Sequence, residues 1–267
     1  MPTDIHPSAV VSPGAVLGEG VRVGPFCVVG PRVSLGDRVQ LVSHVVVDGR
    51  TSVGEGTTVF PFASIGQPPQ DLKYRGEDSV LEIGRNNRIR EYVTMQPGTE
   101  GGGMVTRVGD NCLFMASSHV AHDCLVGNGV ILANCATLAG HVVVGDHAFV
   151  GGLSAVHQFC RIGEHAMIGG MSGVENDVIP YGLVMGERAR LSGLNLVGLE
   201  RRGFSKDDVR ALRSAYRMLF APEGTFAERQ EEVARAFAEN PVVSRVIAFM
   251  RSESRRSLCL PKAGNGA

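Results

Sequence analysis

Tryptophan is missing altogether from this chain of 267 residues, and aromatic residues make up only 6% of it. The length would suffice for one large domain or two modest ones. So few large rings argue against an ordinary core and for one built from many small aliphatic layers. No run approaches the ~20 apolar residues of a membrane-spanning helix, and the start MPTDIHPSAVV has no basic stretch followed by an apolar one. A cytoplasmic protein without a membrane span is therefore expected. The cysteines at 27, 112, 124, 135, 160 and 259 make no CxxC pair, as suits reduced thiols in a reducing compartment. Net charge is also close to nil, with 26 basic against 27 acidic side chains. That excludes a polybasic nucleic-acid-binding arm and a disordered polyanion. Glycine is what the chain has in plenty, 35 residues without a Gly-x-y triplet, so collagen is excluded too.

An internal period settles the architecture. Aliphatic residues recur every six positions from Ile5 through Val11, Leu17 and Val23 to Ile65, then at Ile83, Ile89 and Met95. After a slip of one residue the series resumes at Val108 and runs through Phe114, Val120 and Val126 to Val174, giving 26 hexads in all. Four places after each aliphatic residue stands a small or β-branched one, with Pro69 and Asn87 as the two exceptions, and Gly often follows the aliphatic residue directly. A helix needs apolar spacings of three and four, and an ordinary strand strict alternation, so neither fits. A six-residue unit suits one short strand and a tight turn, and three units close a triangular coil of 18 residues. Gly is read here as relieving strain at the turns, and stacked coils satisfy one another's backbone groups.

Two segments interrupt the period, one near residues 67–82 and one near 96–107, and both read as functional loops extruded from the prism. The repeat domain is placed at residues 1–186 and a small helical domain at 187–267. Within the latter, capping signals predict helices from Ser205 to about Phe220, from Thr225 to about Glu239, and from Asn240 and Pro241 to about Arg251. Residues 187–262 carry 15 basic and 10 acidic side chains, a basic end able to attract an acidic partner.

The coil period converts spacing into geometry, because residues 18 apart stack at about one strand spacing. Ala121-His122-Asp123, Ala139-Gly140-His141 and His157-Gln158-Phe159 therefore fall in one strip along one edge. A general base fits this strip: a neutral His122 whose tautomer Asp123 fixes, if a turn brings the two neighbours to the same side. Gly140, one coil above, has no side chain to shield its N–H, as an oxyanion donor requires. A three-histidine metal site is the alternative for the same strip. His147 and His165 read as an exposed stack, and Cys27, Cys112, Cys124 and Cys160 as core packing.

The segments FASIGQPPQDLKYRGE, SSHVAHDCLVGN, ILANCATLAGHV, AVHQFCRIG and GLERRGFS resemble the UDP-N-acetylglucosamine O-acyltransferases, which act first in lipid A biosynthesis, over nearly the whole chain. The resemblance implies a mainly β fold, a left-handed parallel β-helix of hexapeptide repeats followed by a small α-helical domain. It implies transfer of an (R)-3-hydroxyacyl group from acyl carrier protein to the 3-hydroxyl of UDP-N-acetylglucosamine, with no cofactor beyond the carrier's phosphopantetheine and no metal. His122 would be the base, Asp123 its orienting partner and Gly140 N–H the oxyanion donor. Gln70, Asp71, Lys73, Gln96, His119, His141, His157, Gln158, Asn195, Arg201 and Arg202 would bind substrate, and Gly170 with Met171 would set acyl length. A homotrimer with sites between subunits is implied as well.

Two positions depart from the family pattern: Gln96 where His is frequent, and Val197 where an acidic residue is. They leave a 3-amino sugar acceptor, giving an amide, as an alternative. A trimeric γ-type carbonic anhydrase and a non-enzymatic scaffold are the readings from other classes. Hexads that begin at Ile5 count against the related N-acyltransferase, which has an additional N-terminal domain.

Overall fold

The computed structural model describes residues 2–262. From Asp4 to Val174 the chain winds as a parallel coil of triangular section, each side contributing one short strand per turn. Three sheets of 11, 9 and 8 strands form the faces. The chain visits the first face (beginning with Asp4–Ile5), the second (Val10–Val11) and the third (Val16–Leu17) in that order. Partners across coils are as the period requires, Val126 pairing Val144 and Val144 pairing Ile162. The inserted residues leave the ladder intact, since Ile83 pairs Val53 on one side and Val108 on the other.

Each hexad turns its aliphatic residue inward, and Leu41, Ile65, Leu132 and Leu138 are fully buried. The small residue four places on fills the corner, as buried Ala63, Ala136 and Cys160 do. Asn87 is equally buried at that place because its polar atoms are matched: Nδ2 donates to Gly109 O at 2.9 Å and Oδ1 accepts from Cys112 N–H at 2.7 Å. Burial pushes the Cys124 and Cys160 thiols up to about 12, so they pack and do not react.

The corners differ from the sequence reading in one respect. The left-handed backbone conformation falls three places after the aliphatic residue and is mostly adopted by other residues, among them Phe26, Asp123, His141 and Phe159, with φ between 59° and 68°. Glycine directly after the aliphatic residue serves coil stacking instead. A Cβ on Gly24 would lie 1.8 Å from the carbonyl oxygen of Val42. Between these two places, two after the aliphatic residue, the N–H lies outside the ladder. Pro7, Pro13, Pro25, Pro31 and Pro61 stand there at no cost in hydrogen bonds.

The regular change to helix comes later than residue 186. Gly182–Met185 continues the first face and folds back antiparallel onto Arg190–Leu194, so a hairpin straddles that boundary. Helices α1 (Leu196–Arg201), α2 (Lys206–Leu219), α3 (Phe226–Ala236) and α4 (Pro241–Arg251) follow. The short α1 is the one helix the capping signals did not predict, and the other three begin at Ser205, Thr225 and Asn240 caps. Leu212, Ala215 and Leu219 of α2 and Val243, Val246 and Ile247 of α4 are buried. The chain then returns to the prism, Asp177 N–H donating to Ser257 O and Cys259 N–H to Asp177 O. Among the described residues no helix is long and apolar enough to cross a membrane.

His147 and His165 stand one coil apart, as expected, with ring centroids 4.9 Å apart and planes tilted by 33°, but neither is exposed. Phe204 packs edge-on against His165 at 5.0 Å and the helical end covers the pair, leaving both Nδ1 atoms buried without a partner. Burial, with the charges of His147 and Arg202, pushes His165 down to about 4. Because the unfolded chain takes up that proton near 6.5 and the folded chain resists it, stability is expected to fall as pH drops from about 6.5 towards 4. Urea unfolding midpoints at pH 7 and 4.5 test this: His165→Phe should reduce the difference, and an equal difference in both proteins would contradict it.

Candidate active site

Both inserted loops leave from the edge between the second and third faces, after Ser64–Ile65 and Thr94–Met95. That same edge carries His122-Asp123, Gly140-His141 and Gln158-Phe159 one coil after another. The left-handed corner at Asp123 (φ 59°) supplies the turn that brings two sequence neighbours to one side. His122 Nδ1 lies 2.8 Å from Asp123 Oδ2, and the Asp123 side chain is fully buried. Burial works against ionisation of Asp123, but hydrogen bonds from His122 and Thr99 outweigh it and hold the carboxyl below its usual range. An ionised Asp123 can only accept, so the imidazole proton sits on Nδ1 and the lone pair on Nε2. Asp71 of the first loop faces that nitrogen, its Oδ2 4.0 Å away.

Gly140 occupies the corner place directly above His122. A Cβ there would come within 2.6 Å of Nε2, so only glycine leaves the ring where it is. Among the described residues the Gly140 N–H makes no hydrogen bond, being at the place where other corners carry proline. A partnerless N–H beside a basic nitrogen is what an oxyanion-forming reaction uses. His141 stands edge-on to His122 at 5.0 Å and is stacked on Phe159 at 4.4 Å. Arg255, from the segment after α4, lies 4.7 Å above the outer face of Phe159. Burial pushes His141 down, with the charges of Asp123 and Asp71 opposing and those of His122 and Arg255 assisting.

The other residues singled out from the sequence divide into two groups. Gln96 is buried, and its Oε1 accepts from Gln70 N–H at 3.2 Å, fastening the first loop to the base of the second. Asp71 Oδ1 accepts from Lys73 N–H at 2.9 Å, while the Lys73 side chain is exposed. His119 Nδ1 is 2.6 Å from Thr94 Oγ1, and burial together with His122 pushes it down. His157 and Gln158 lie on the strip, held by Arg256 through His157 Nδ1 (2.6 Å) and Gln158 O (3.0 Å).

Five residues are not on this edge within one chain. Gly170 and Met171 sit between the first and second faces, Met171 being 72% exposed. Asn195, Arg201 and Arg202 lie by the edge between the third and first faces. There Asn195 Oδ1 caps α1 and its Nδ2 donates to His165 O, and Arg202 donates to His147 O. Thr99, Gly102, Thr106, Arg255 and Arg256 were not found from the sequence, although a run of three glycines in a loop signals close backbone approach. Donor atoms of His122, Asp123 and His141 fall within 4.8 Å of one another, near enough to hold a metal ion. Thr99 and His122 already bond to the Asp123 carboxylate.

A triangular coil of hexapeptide repeats is the architecture of the hexapeptide-repeat transferases, and a histidine–carboxylate pair with a free N–H above it is chemistry that acyl transfer can use. The bacterial transferase hexapeptide model (six repeats) matches residues 14–49 and 106–140, and the model for UDP-N-acetylglucosamine O-acyltransferase, domain 2, matches residues 177–259. The chain is 54% identical over 258 residues to the acyl-[acyl-carrier-protein]–UDP-N-acetylglucosamine O-acyltransferase of Caulobacter vibrioides, covering 97% of this chain and 98% of that one. The enzyme of the same name from Sinorhizobium fredii is 49% identical, with 97% and 96% covered. A crystal structure of UDP-N-acetylglucosamine acyltransferase superposes with a TM-score of 0.93 at 43% identity, covering 97% of this chain and all of that one. The Francisella novicida enzyme gives 0.94 at 35% identity, covering 97% and 95%. The chain belongs to the UDP-N-acetylglucosamine O-acyltransferase family, and its fold is the left-handed parallel β-helix with a small helical C-terminal region.

Two outcomes test the geometry of this edge. Dialysis against a chelator is expected to leave acyl transfer unchanged, and a loss restored by zinc would reassign His122, Asp123 and His141 as metal ligands. Gly140→Ala is expected to displace the imidazole and lower kcat by about a hundredfold or more while the circular dichroism spectrum is retained. Unchanged kcat would contradict the close stacking of Gly140 on His122.

Proposed function

We propose that this protein transfers a 3-hydroxyacyl group, of (R) configuration, from acyl carrier protein to the 3-hydroxyl of UDP-N-acetylglucosamine. The observation that carries the reading is the His122–Asp123 pair, 2.8 Å apart, with Nε2 left basic and the Gly140 N–H free above it. The names of the relatives supply donor and acceptor, and the pair supplies the chemistry both need.

The sugar 3-hydroxyl gives its proton to His122 Nε2 as its oxygen attacks the thioester carbonyl. The new carbon–oxygen bond places negative charge on the carbonyl oxygen, which the Gly140 N–H receives. Collapse breaks the carbon–sulfur bond, and the imidazolium, stabilised by Asp123, returns the proton to the departing pantetheine thiolate. Atoms and charge balance with no cofactor beyond the carrier's own arm. Gln70, Asp71 and Lys73 would hold the sugar nucleotide from the first loop, and Gln96 would act on it indirectly by fixing Gln70. His119, His141, His157 and Gln158 would line the pockets.

A homotrimer completes the site. Asn195, Arg201 and Arg202 would reach the nucleotide of a neighbouring subunit, forked guanidinium groups suiting its phosphates, and Gly170 with Met171 would bound the acyl groove there. Exposed apolar surface supports subunit contact: Leu72, within the first loop, is 96% exposed. Phe26, His44, Phe62 and Tyr92 form a ladder along one edge with ring centroids 4.9–5.2 Å apart.

His122→Ala is expected to lower turnover by at least about a hundredfold with the fold intact, and near-native turnover would overturn the assignment. Arg201→Ala should raise KM for the nucleotide more than it lowers kcat. At nucleotide concentrations well below KM, co-expression of the two variants should yield mixed trimers more active than either parent, because some sites then take an intact His122 from one chain and an intact Arg201 from the other. No gain on mixing would place both residues in one chain's site. Product analysis with the 3-amino acceptor and thioesters of several lengths decides between ester and amide and fixes the acyl length.

A further inference from the structure

The geometry points to Thr99 as a positioning residue for the His122–Asp123 pair, a role for the second inserted loop that rests on the reading of His122 as the base. Thr99 stands immediately before the 3-10 turn Glu100–Gly102, in extended conformation, where a threonine hydroxyl ordinarily caps the turn it precedes. It makes no such bond. Both donors of Thr99 are turned instead towards a residue in the next coil. Its N–H reaches Asp123 Oδ1 at 2.9 Å and its hydroxyl reaches Asp123 Oδ2 at 2.6 Å, with both residues only 5% exposed.

The rest of the loop is shaped around that carboxylate. A Cβ on Gly102 would fall 1.9 Å from Asp123 Cγ, so the acid lies flat against bare backbone. The Thr99 carbonyl accepts from both Gly102 N–H and Met104 N–H at 3.0 Å, which closes the loop on itself. At ordinary corners the left-handed residue's N–H is taken by a carbonyl of the preceding coil, as His141 N–H is by His122 O. The inserted loop removes that carbonyl at Asp123, and Thr106 Oγ1 accepts the N–H in its place at 2.7 Å.

The fork matters because a carboxylate rotates readily about its last bond and because two imidazoles compete for it. Oδ2 lies 2.8 Å from His122 Nδ1 and 3.8 Å from His141 Nδ1. Two donors from Thr99, one on each oxygen, fix the carboxylate plane in the orientation that serves His122. Without the hydroxyl, Asp123 can swing towards His141, and His122 loses both its tautomer and the anion that stabilises its protonated form. The titratable groups facing His122 are Asp123, His141, His119 and Asp71, and the first two are those that such a rotation would rearrange.

The test uses the full-length enzyme with both natural substrates. Thr99→Val keeps shape and removes the hydroxyl. It is expected to lower kcat by about tenfold to a hundredfold with KM for either substrate unchanged, and to move the acid limb of the pH–kcat/KM profile to lower pH. Thr99→Ser should restore most of the rate. In an Asp123→Asn background Thr99→Val should cost little more, because the residue acts through the carboxylate. Wild-type kcat in Thr99→Val, an unmoved acid limb, or the full factor again on top of Asp123→Asn would overturn the proposal. His122→Ala separates the two readings: if it retains turnover the base itself is wrong, whereas an inactive His122→Ala beside an indifferent Thr99→Val removes only the role of Thr99.

Discussion

A parallel ladder that advances by one strand spacing per coil governs the molecule. Each strand is two residues long over most of the prism, far too short to be stable as an isolated pair. Stability comes from repetition, every coil burying the aliphatic and small residues of the next and satisfying its backbone. The same ladder forbids variation inside the prism and tolerates it at the corners. Chemistry can therefore enter at two kinds of place: in corner residues that point outward, and in loops inserted between faces without disturbing the register.

The active edge uses both. His122 and Asp123 are adjacent in sequence and would diverge on a strand, yet a left-handed corner makes them a hydrogen-bonded pair. Repetition then places Gly140 over His122 and His141 beside it, so neighbours in the site are separated by a coil and not by a fold-wide journey. The loops supply what a repeating surface cannot, an acid facing Nε2 from one loop and a buried clasp for Asp123 from the other. Beyond the site, the segment following α4 returns to lay Arg255 on Phe159 and Arg256 on His157, tying the helical end to the same strip.

Much of this was readable beforehand because period and geometry are locked together in a coil. Counting by six placed the strands, counting by eighteen placed the histidine strip, and caps at Ser205, Thr225 and Asn240 placed three of four helices. Legibility failed where contacts do not follow the count. Six-residue α1 carries little periodic signal, and the burial of His147 and His165 depends on Phe204 folding back over them. Thr99 lies 24 residues from Asp123, a spacing no coil period produces, because an insertion intervenes.

The sequence alone determined the coil, its three faces, the edge that holds His122, Asp123, Gly140 and His141, and the chemistry that a histidine beside a carboxylate can perform. Those follow from local rules: an aliphatic residue must point inward every sixth place, and residues one coil apart must stack. Tertiary structure decided which nitrogen of His122 is basic, that glycine after the aliphatic residue serves stacking and not turn strain, and that Asn195, Arg201 and Arg202 sit on another edge from the base. These depend on directions of side chains and on the path of inserted and returning segments, which the period does not encode.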